Sequence, residues 1–255
     1  MGTSPPVPAE LFSVDAYLRQ FDSQALEVDR DQGRIALDRT AFYPGGGGQP
    51  HDTGALTWDG GQATVRRVGR DAGRIWHWLD GELPAPGTEL LGTIDWDRRH
   101  LLMRTHTALH ILCGVVWADY RVAVTGGNME PGAGRIDFEL DAMSAELGRL
   151  LEKRVNEEIV RAHEILVEFL ARVEADSDPA LIRTKANLIP AHVDPLRVID
   201  IVGLDRQADG GTHVATTAEV GGVQVLKTES KGRANKRVRL AVTDHPPVPS
   251  SGEAV

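Results

Sequence analysis

A chain of 255 residues, with 41% hydrophobic and 25% charged side chains, can bury one or two apolar cores and is typical of a soluble globular protein. No apolar run reaches the roughly 20 residues that cross a bilayer, and the first residues lack the basic and apolar segments of a secretory signal. The single cysteine, Cys113, excludes an intramolecular disulfide framework. These features together predict a cytoplasmic protein.

The net charge of −9 argues against non-specific binding to nucleic acid, but one local segment has the opposite sign. Between Lys227 and Arg239 one acid, Glu229, stands among six basic residues: Lys227, Lys231, Arg233, Lys236, Arg237 and Arg239. A basic face on an acidic protein fits a partner that touches this face alone. A solvent-exposed strand-loop-strand segment without a binding role explains the same pattern equally well.

The first part of the chain has the pattern of β structure. We expect a disordered, proline-rich tail at 1–10, followed by a β domain at 11–95. Short alternating runs separated by turn residues fill this domain, and Asp59-Gly60-Gly61 marks its clearest hairpin. The pattern predicts a small barrel. His77 alternates with two tryptophans, and we expect its side chain to point outward.

A glycine-rich motif interrupts the β domain at 40–50, with four consecutive glycines from Gly45 to Gly48 followed by Gln49. Ordering glycine costs the most entropy, so this run suggests backbone that approaches another group closely or leaves its amides to bind an anion. A flexible loop is an equally good interpretation. No Gly-Lys-Ser/Thr follows, which excludes a P-loop.

The remainder predicts an α+β domain at 96–244 and a loosely ordered tail at 245–255. A helix carrying His106 and His110 should run to about Tyr120, and a glycine-rich turn should follow at 125–127. A second helix at 145–163 has an apolar face, formed by Leu147, Leu150, Leu151, Val155 and Ile159. Strands are expected at 134–140, 165–170, 198–202, 223–226 and 238–242, with a short helix after Arg172.

Four potential metal ligands form two pairs with the same spacing. His106 and His110 are four residues apart on one face of the predicted helix, so both can reach a single metal ion. Asp209 and His213 are also four residues apart, but the glycines between them favour a tight turn in which both side chains converge. Three imidazoles and one carboxylate form an acceptable tetrahedral zinc set. Taken singly, each histidine is more often structural.

Four segments, in this order, resemble motifs of the alanyl-tRNA synthetase editing domain. They are Thr40 to Pro50 with Asp52-Thr53-Gly54, Arg104 to Leu112, Gln207 to Val214, and Thr228 to Val238. The chain has no space for an aminoacylation domain. It is therefore similar to the free-standing AlaX-type editing proteins, and its small β domain matches their medium-length type.

The resemblance implies an aminoacyl-tRNA hydrolase that removes serine, and glycine as a second candidate, from mischarged tRNA(Ala) with one zinc ion per chain. It implies metal ligands at His106, His110, Asp209 and His213. It also implies substrate contacts from Thr125, Gly45, Gly46, Gly47, Gly48 and Gln49. Contacts to the acceptor end of the tRNA are implied for Lys231, Arg233, Lys236 and Arg237. No general base is evident from the motifs.

The sequence departs from the family at one position, because Asp209 stands where the family has a cysteine. A carboxylate is a harder ligand than a thiolate, so we expect weaker or less selective zinc binding. Cys113 cannot replace it: seven residues after His106 is about 10 Å along a helix axis, which predicts a core residue. A weakened relative that binds tRNA or metal is one alternative. An unrelated metallohydrolase is another, disfavoured because Thr107 replaces the glutamate of His-Glu-x-x-His.

Overall fold

The computed structural model describes residues 9–185, 189–191, 193–232 and 235–246. They form two compact units. The first contains the chain up to Leu102 and the segment Gly210–Thr212; the second contains Met103–Asp209 and the chain from His213 onward. Most of the two predicted tails, 1–10 and 245–255, lies outside the described residues.

Six strands of the first unit close into an antiparallel barrel in the order β1-β2-β5-β4-β3-β6. In chain order they are β1 Gln20–Asp29, β2 Arg34–Leu37, β3 Gly54–Trp58, β4 Gly61–Asp71, β5 Arg74–Gly81 and β6 Glu89–Ile94. The predicted hairpin at Asp59-Gly60 joins β3 to β4, where Trp58 pairs with Gly61. A closed barrel has no exposed strand edge. The predicted barrel is therefore confirmed.

The barrel interior corrects the expectation for His77. Trp76 and Trp78 face outward and are covered by the guanidinium of Arg34, which lies 4.2 Å and 5.3 Å from their rings. His77 therefore points inward beside the core residue Leu79, and its side chain is fully buried. Its Nε2 lies 2.9 Å from the Thr40 hydroxyl, so the imidazole has a partner inside the barrel. We expected the histidine to point outward. The two tryptophans point outward instead, because the arginine guanidinium covers their rings.

The second unit is α+β, as predicted. It has a four-stranded sheet in the order β12-β13-β8-β7 and a three-stranded sheet in the order β11-β10-β9. The strands are β7 Val124–Glu130, β8 Ala133–Phe138, β9 Ile165–Leu170, β10 Leu196–Ile201, β11 Asp205–Ala208, β12 Gly222–Ser230 and β13 Lys236–Thr243. The helices of the described residues are α1 Trp96–Tyr120, which belongs to this unit from Met103 onward, α2 Ala145–Val160 and α3 Arg172–Ala175. Short 3₁₀ turns occur at Pro179–Leu181 and Thr217–Val220 in this unit and at Leu11–Ser13 in the first unit.

Helix α1 is the one described helix that is long and apolar enough to cross a membrane by length and composition. Within this protein 78% of its apolar window is buried, which is the behaviour of a core helix. Its buried residues include Leu102, Ile111, Leu112, Val115 and Val116. The helix therefore packs against protein along most of its length and holds its polar residues rigidly.

Helix α2 begins where predicted, because the Ser144 hydroxyl accepts a hydrogen bond from the Leu147 amide. Its buried face contains Leu151, Val155 and Ile159. The prediction that Leu150 belongs to this face is wrong, since its side chain is 46% exposed. The buried face of the helix is therefore narrower than the apolar face predicted from the sequence, and Leu150 lies outside it.

The predicted glycine-rich turn at 125–127 is also wrong, because these residues belong to strand β7. Gly126 pairs with Asp137 and Gly127 with Ile136 of β8. The ladder shifts between Val124 and Gly126, so the intervening Thr125 occupies a bulge. Pairing with the next strand in the chain orders a glycine-rich segment that has the local pattern of a turn.

Candidate metal centre

Four side chains of the second unit converge on one point. The potential ligand atoms of His106, His110, Asp209 and His213 all lie within 4.8 Å of one another. The three histidines are buried and the Asp209 side chain is 14% exposed, so the cluster is nearly shielded from solvent. The two ligand pairs predicted from sequence spacing therefore come together in the structure.

The Asp209 carboxylate faces the Nε2 atom of all three imidazoles. Its Oδ1 lies 3.1 Å from Nε2 of His213, and its Oδ2 lies 3.7 Å from Nε2 of His106 and 3.9 Å from Nε2 of His110. The rings of His106 and His213 stack with their centroids 4.3 Å apart. His110 stands edge-on to both. One cation among these nitrogens and oxygens would have four protein donors.

The charges of the cluster suit a cation. Burial would raise the pKa of Asp209, but the neighbouring histidines outweigh it and hold the pKa well below its usual value. Burial and the nearby His106 imidazole hold the pKa of His213 well below that of a free histidine. Metal ligands must be an ionised carboxylate and neutral imidazoles. Asp209 and His213 therefore favour the forms that a metal ligand needs. Burial would lower the pKa of His110, but the carboxylates of Asp205 and Asp209 outweigh it and raise the pKa, so this imidazole would release its proton on binding a metal ion.

Backbone and side-chain contacts fix the segment that carries Asp209 and His213. The Asp209 amide donates to the Arg197 carbonyl, and the Arg197 guanidinium donates back to the Asp209 carbonyl at 2.9 Å. The Thr107 hydroxyl lies 3.2 Å from Nδ1 of His213 and accepts from the Val214 amide. Thr107 lies next to His106 on α1, so both halves of the cluster are tied together.

The glycine-rich motif, in the first unit, is a tight turn rather than a flexible loop. All four glycines have positive φ, with 58° at Gly47 and 90° at Gly48. Gly46 and Gln49 exchange two backbone hydrogen bonds around these two residues, as in a two-residue hairpin turn. The Tyr43 hydroxyl donates to the Gly46 carbonyl. Positive φ at consecutive positions explains why the sequence uses only glycine here.

The turn presents Gln49 to the glycine segment that precedes His213 in the chain. The Gln49 side-chain amide donates to the Thr212 hydroxyl at 2.8 Å, and its carbonyl accepts from the Thr212 amide at 2.9 Å. Gln49 and Thr212 are both buried. The predicted substrate residue Gln49 is therefore held by a two-point contact within the first unit.

Cys113 is buried, as predicted, and does not belong to the cluster. Burial raises the pKa of its thiol, so the sulfur stays protonated. A protonated thiol is a poor metal ligand. The interpretation of Cys113 as a core residue agrees with this position.

Of the other predicted substrate and tRNA residues, Thr125 lies on strand β7, Lys231 follows β12, and Lys236 and Arg237 lie on β13. Thr125 is exposed, and its hydroxyl lies 3.4 Å from the Asn235 side chain. Lys231 is exposed and lies 3.4 Å from Glu229. Lys236 is buried and donates to the Gly232 carbonyl, and Arg237 forms two hydrogen bonds with Asp137. Arg233 lies outside the described residues.

Sequence reasoning missed Asp205, Thr107 and Arg197, which surround the cluster. Strand β11 alternates buried and half-buried residues, and the buried positions are the polar residues Asp205 and Gln207. That alternation is a detectable signal, but four residues are too few to separate a strand from a loop. Thr107 was considered only as the residue that replaces a glutamate base.

Two family models match the chain. The model of class II (A) tRNA synthetases matches residues 12–98, and the model of the threonyl and alanyl tRNA synthetase second additional domain matches residues 196–239. The first match covers the barrel and the second covers the segment that carries Asp209 and His213. Fold and site thus define a domain of the class found in alanyl-tRNA and threonyl-tRNA synthetases.

Curated relatives match nearly the whole length. The alanyl-tRNA editing protein AlaX-M of Saccharolobus solfataricus is 37% identical over 91% of this chain and 98% of its own. AlaX-M of Methanosarcina barkeri is 33% identical over 92% of this chain and 98% of its own. The alanine–tRNA ligase of Pyrobaculum aerophilum is 36% identical over 88% of this chain but only 26% of its own. The chain belongs to the family of AlaX-M alanyl-tRNA editing proteins.

Proposed function

We propose that this protein is a trans-editing aminoacyl-tRNA hydrolase that deacylates Ser-tRNA(Ala), with Gly-tRNA(Ala) as a second substrate. The observation that carries the proposal is the convergence of His106, His110, Asp209 and His213 in a chain whose relatives are named alanyl-tRNA editing proteins. An aminoacyl ester is an activated bond. A positioned water and a stabilised oxyanion therefore suffice for its hydrolysis. A cytoplasmic location goes with this proposal.

The donor set of the cluster supports one zinc ion per chain. Three imidazole nitrogens and a carboxylate oxygen are a tetrahedral zinc set, and the Asp209 oxygens already lie 3.1–3.9 Å from the three Nε2 atoms. A zinc ion held there would supply Lewis acidity toward a water or a substrate oxygen, or an anchor for the substrate. The three histidines and Asp209 would hold that ion, and Thr107 holds the His213 ring.

Thr125 is proposed to recognise the serine hydroxyl. Serine and alanine differ by this one group, and a site that hydrogen-bonds a hydroxyl rejects the analogue that lacks it far better than an apolar pocket can. The Thr125 hydroxyl is at the surface of β7, where a substrate can reach it. The residues from Gly45 to Gln49 are also proposed to contact the substrate.

The basic hairpin β12-β13 is proposed to contact phosphates at the acceptor end of tRNA(Ala). Lys231 is the leading candidate, since it is at the surface beside Glu229, and Arg233 is proposed from the sequence motif alone. Arg237 would act while paired with Asp137, and buried Lys236 would shape the hairpin by holding the Gly232 carbonyl. Such contacts increase the affinity for tRNA without distinguishing one nucleotide sequence from another.

A second candidate function follows from Asp209 itself. A carboxylate in place of a thiolate gives zinc a harder ligand, so a chain that binds tRNA or metal with slow turnover is the alternative. The two proposals assign the same four metal ligands and differ in the rate of deacylation. Asp209→Cys should leave the rate almost unchanged under the first proposal and raise it together with zinc content under the second.

Deacylation of Ser-tRNA(Ala) by matched variants tests the first proposal. His213→Asn should abolish serine release and lower bound zinc, because one of four donors is lost. His163→Asn is the control, since His163 is also held by a carboxylate, Glu158, but lies outside the cluster. Equal serine release by wild type and His213→Asn, or equal loss in both variants, would refute the proposed site.

A further inference from the structure

One atom of the cluster lacks the partner that its burial demands. Among the described residues, Nδ1 of His110 is the single buried side-chain nitrogen or oxygen without a hydrogen bond. A buried polar atom left unpaired destabilises the folded state, because it has lost its hydrogen bond to water. Its nearest acidic oxygen is Oδ2 of Asp205, at 3.6 Å, on the side of the ring away from Asp209.

Asp205 is held firmly in that position. Its carboxylate is fully buried and accepts from the Arg183 guanidinium at 3.3 Å and from the Gln207 side-chain amide at 2.5 Å. The Arg183 guanidinium stacks on Trp117 at 4.3 Å, which fixes the arginine in turn. An ionised carboxylate with two donors retains lone pairs for a third.

Helix α1 is shaped to admit this carboxylate. Gly114 lies one helical turn after His110, and a Cβ at that position would lie 2.9 Å from the Asp205 Cβ and 3.0 Å from Leu204 Cγ. Any larger residue would push strand β11 away from the helix. The glycine therefore allows Asp205 to lie against the same face of α1 that carries His110.

We propose that Asp205 is a positioning residue of the metal centre: its carboxylate accepts the Nδ1 proton of His110 and thereby directs the lone pair of Nε2 toward the other three ligands. A ligating histidine commonly donates its second ring proton to a carboxylate, which fixes the tautomer and the ring orientation. Thr107 has the corresponding place at Nδ1 of His213. This inference rests on the metal binding proposed above.

Zinc affinity of the purified full chain, measured by competition with a chelating dye, tests the inference. Asp205→Asn keeps the volume, but its amide cannot accept from Arg183, Gln207 and His110 together, so zinc affinity should fall about 10–100-fold. Glu158→Gln is the matched control, since Glu158 is another buried carboxylate that accepts from a histidine and an arginine. It should lose comparable folding stability but retain zinc affinity.

A spectroscopic measurement separates positioning from mere folding. In the zinc-loaded wild type, ¹⁵N NMR of the histidine rings should show His110 protonated at Nδ1 only, and this readout stands even where Asp205→Asn does not fold. Protonation at Nε2 of His110 would overturn the inference. So would zinc affinity of Asp205→Asn within threefold of wild type, or an equal loss in Glu158→Gln. A wild type that takes up no zinc would instead overturn the metal site itself.

Discussion

Replacing Asp52 by asparagine removes the charge from a fully buried ion pair that anchors the glycine-rich motif. The Asp52 and Arg99 side chains are 1% and 0% exposed, and the carboxylate accepts from the guanidinium and from the Tyr43 amide. Arg99 also donates to the carbonyls of Ala16 and Ala41. Without the carboxylate, Arg99 is a buried and uncompensated cation. The free energy of unfolding should therefore fall by about 3–5 kcal/mol.

Urea unfolding followed by tryptophan fluorescence measures this loss. The matched control is Asp71→Asn in the same barrel, since Asp71 also pairs with an arginine, Arg34, but its side chain is 54% exposed. Because the Asp71 carboxylate is exposed and Arg34 keeps its second partner Asp29 at 2.9 Å, this control should lose at most about 1 kcal/mol. In the double variant Asp52→Asn/Arg99→Met the loss should be smaller than the sum of the two single losses. A loss for Asp52→Asn below about 1 kcal/mol, or equal to that of Asp71→Asn, would refute the reasoning.

Three further predictions concern acid stability, metal preference and tRNA binding. Burial lowers the pKa of His77 to about 4 from 6.5, so the unfolded state binds the proton first as the pH falls. Stability should decline by about 1.4 kcal/mol per unit between those values, and His77→Gln should flatten the decline in urea titrations at several pH values. Asp209→Cys should raise the affinity for zinc relative to manganese, because a thiolate is softer than a carboxylate; an unchanged ratio in chelator competition would count against this. Lys231→Ala should reduce the slope of log affinity for tRNA against log salt by about 0.7–1, whereas the exposed helix lysine control Lys153→Ala should leave it unchanged.

Local sequence patterns correctly predicted the elements whose structure depends on residues close together in the chain. The spacing of His106 and His110 placed both on one helix face, and the strand at 165–170 has the predicted bounds. The Asp59-Gly60 hairpin was also predicted correctly, because turn chemistry involves neighbours in the chain. The Asp209 and His213 pair was found because the glycines between them allow a turn.

Strand pairing and side-chain packing decided the features that local sequence patterns did not predict. Gln49 finds its partner Thr212 at a separation of 163 residues. Gly126 and Gly127 form part of a strand because they pair with β8, the next strand in the chain. His77 turned inward because arginine covers its tryptophan neighbours. Asp205 reads as an ordinary charged residue until the packing against Gly114 places it behind His110. Tertiary context overrides local pattern at each of these positions.

The most direct test of the proposed function compares two substrates with one preparation of known metal content. Serine release from Ser-tRNA(Ala) and alanine release from Ala-tRNA(Ala) would be measured for the wild type, with zinc per chain determined on the same sample. The account predicts about one zinc per chain, rapid serine release, and alanine release no faster than without protein. Equal rates on both substrates, or rapid serine release by a preparation from which zinc has been fully removed, would contradict it.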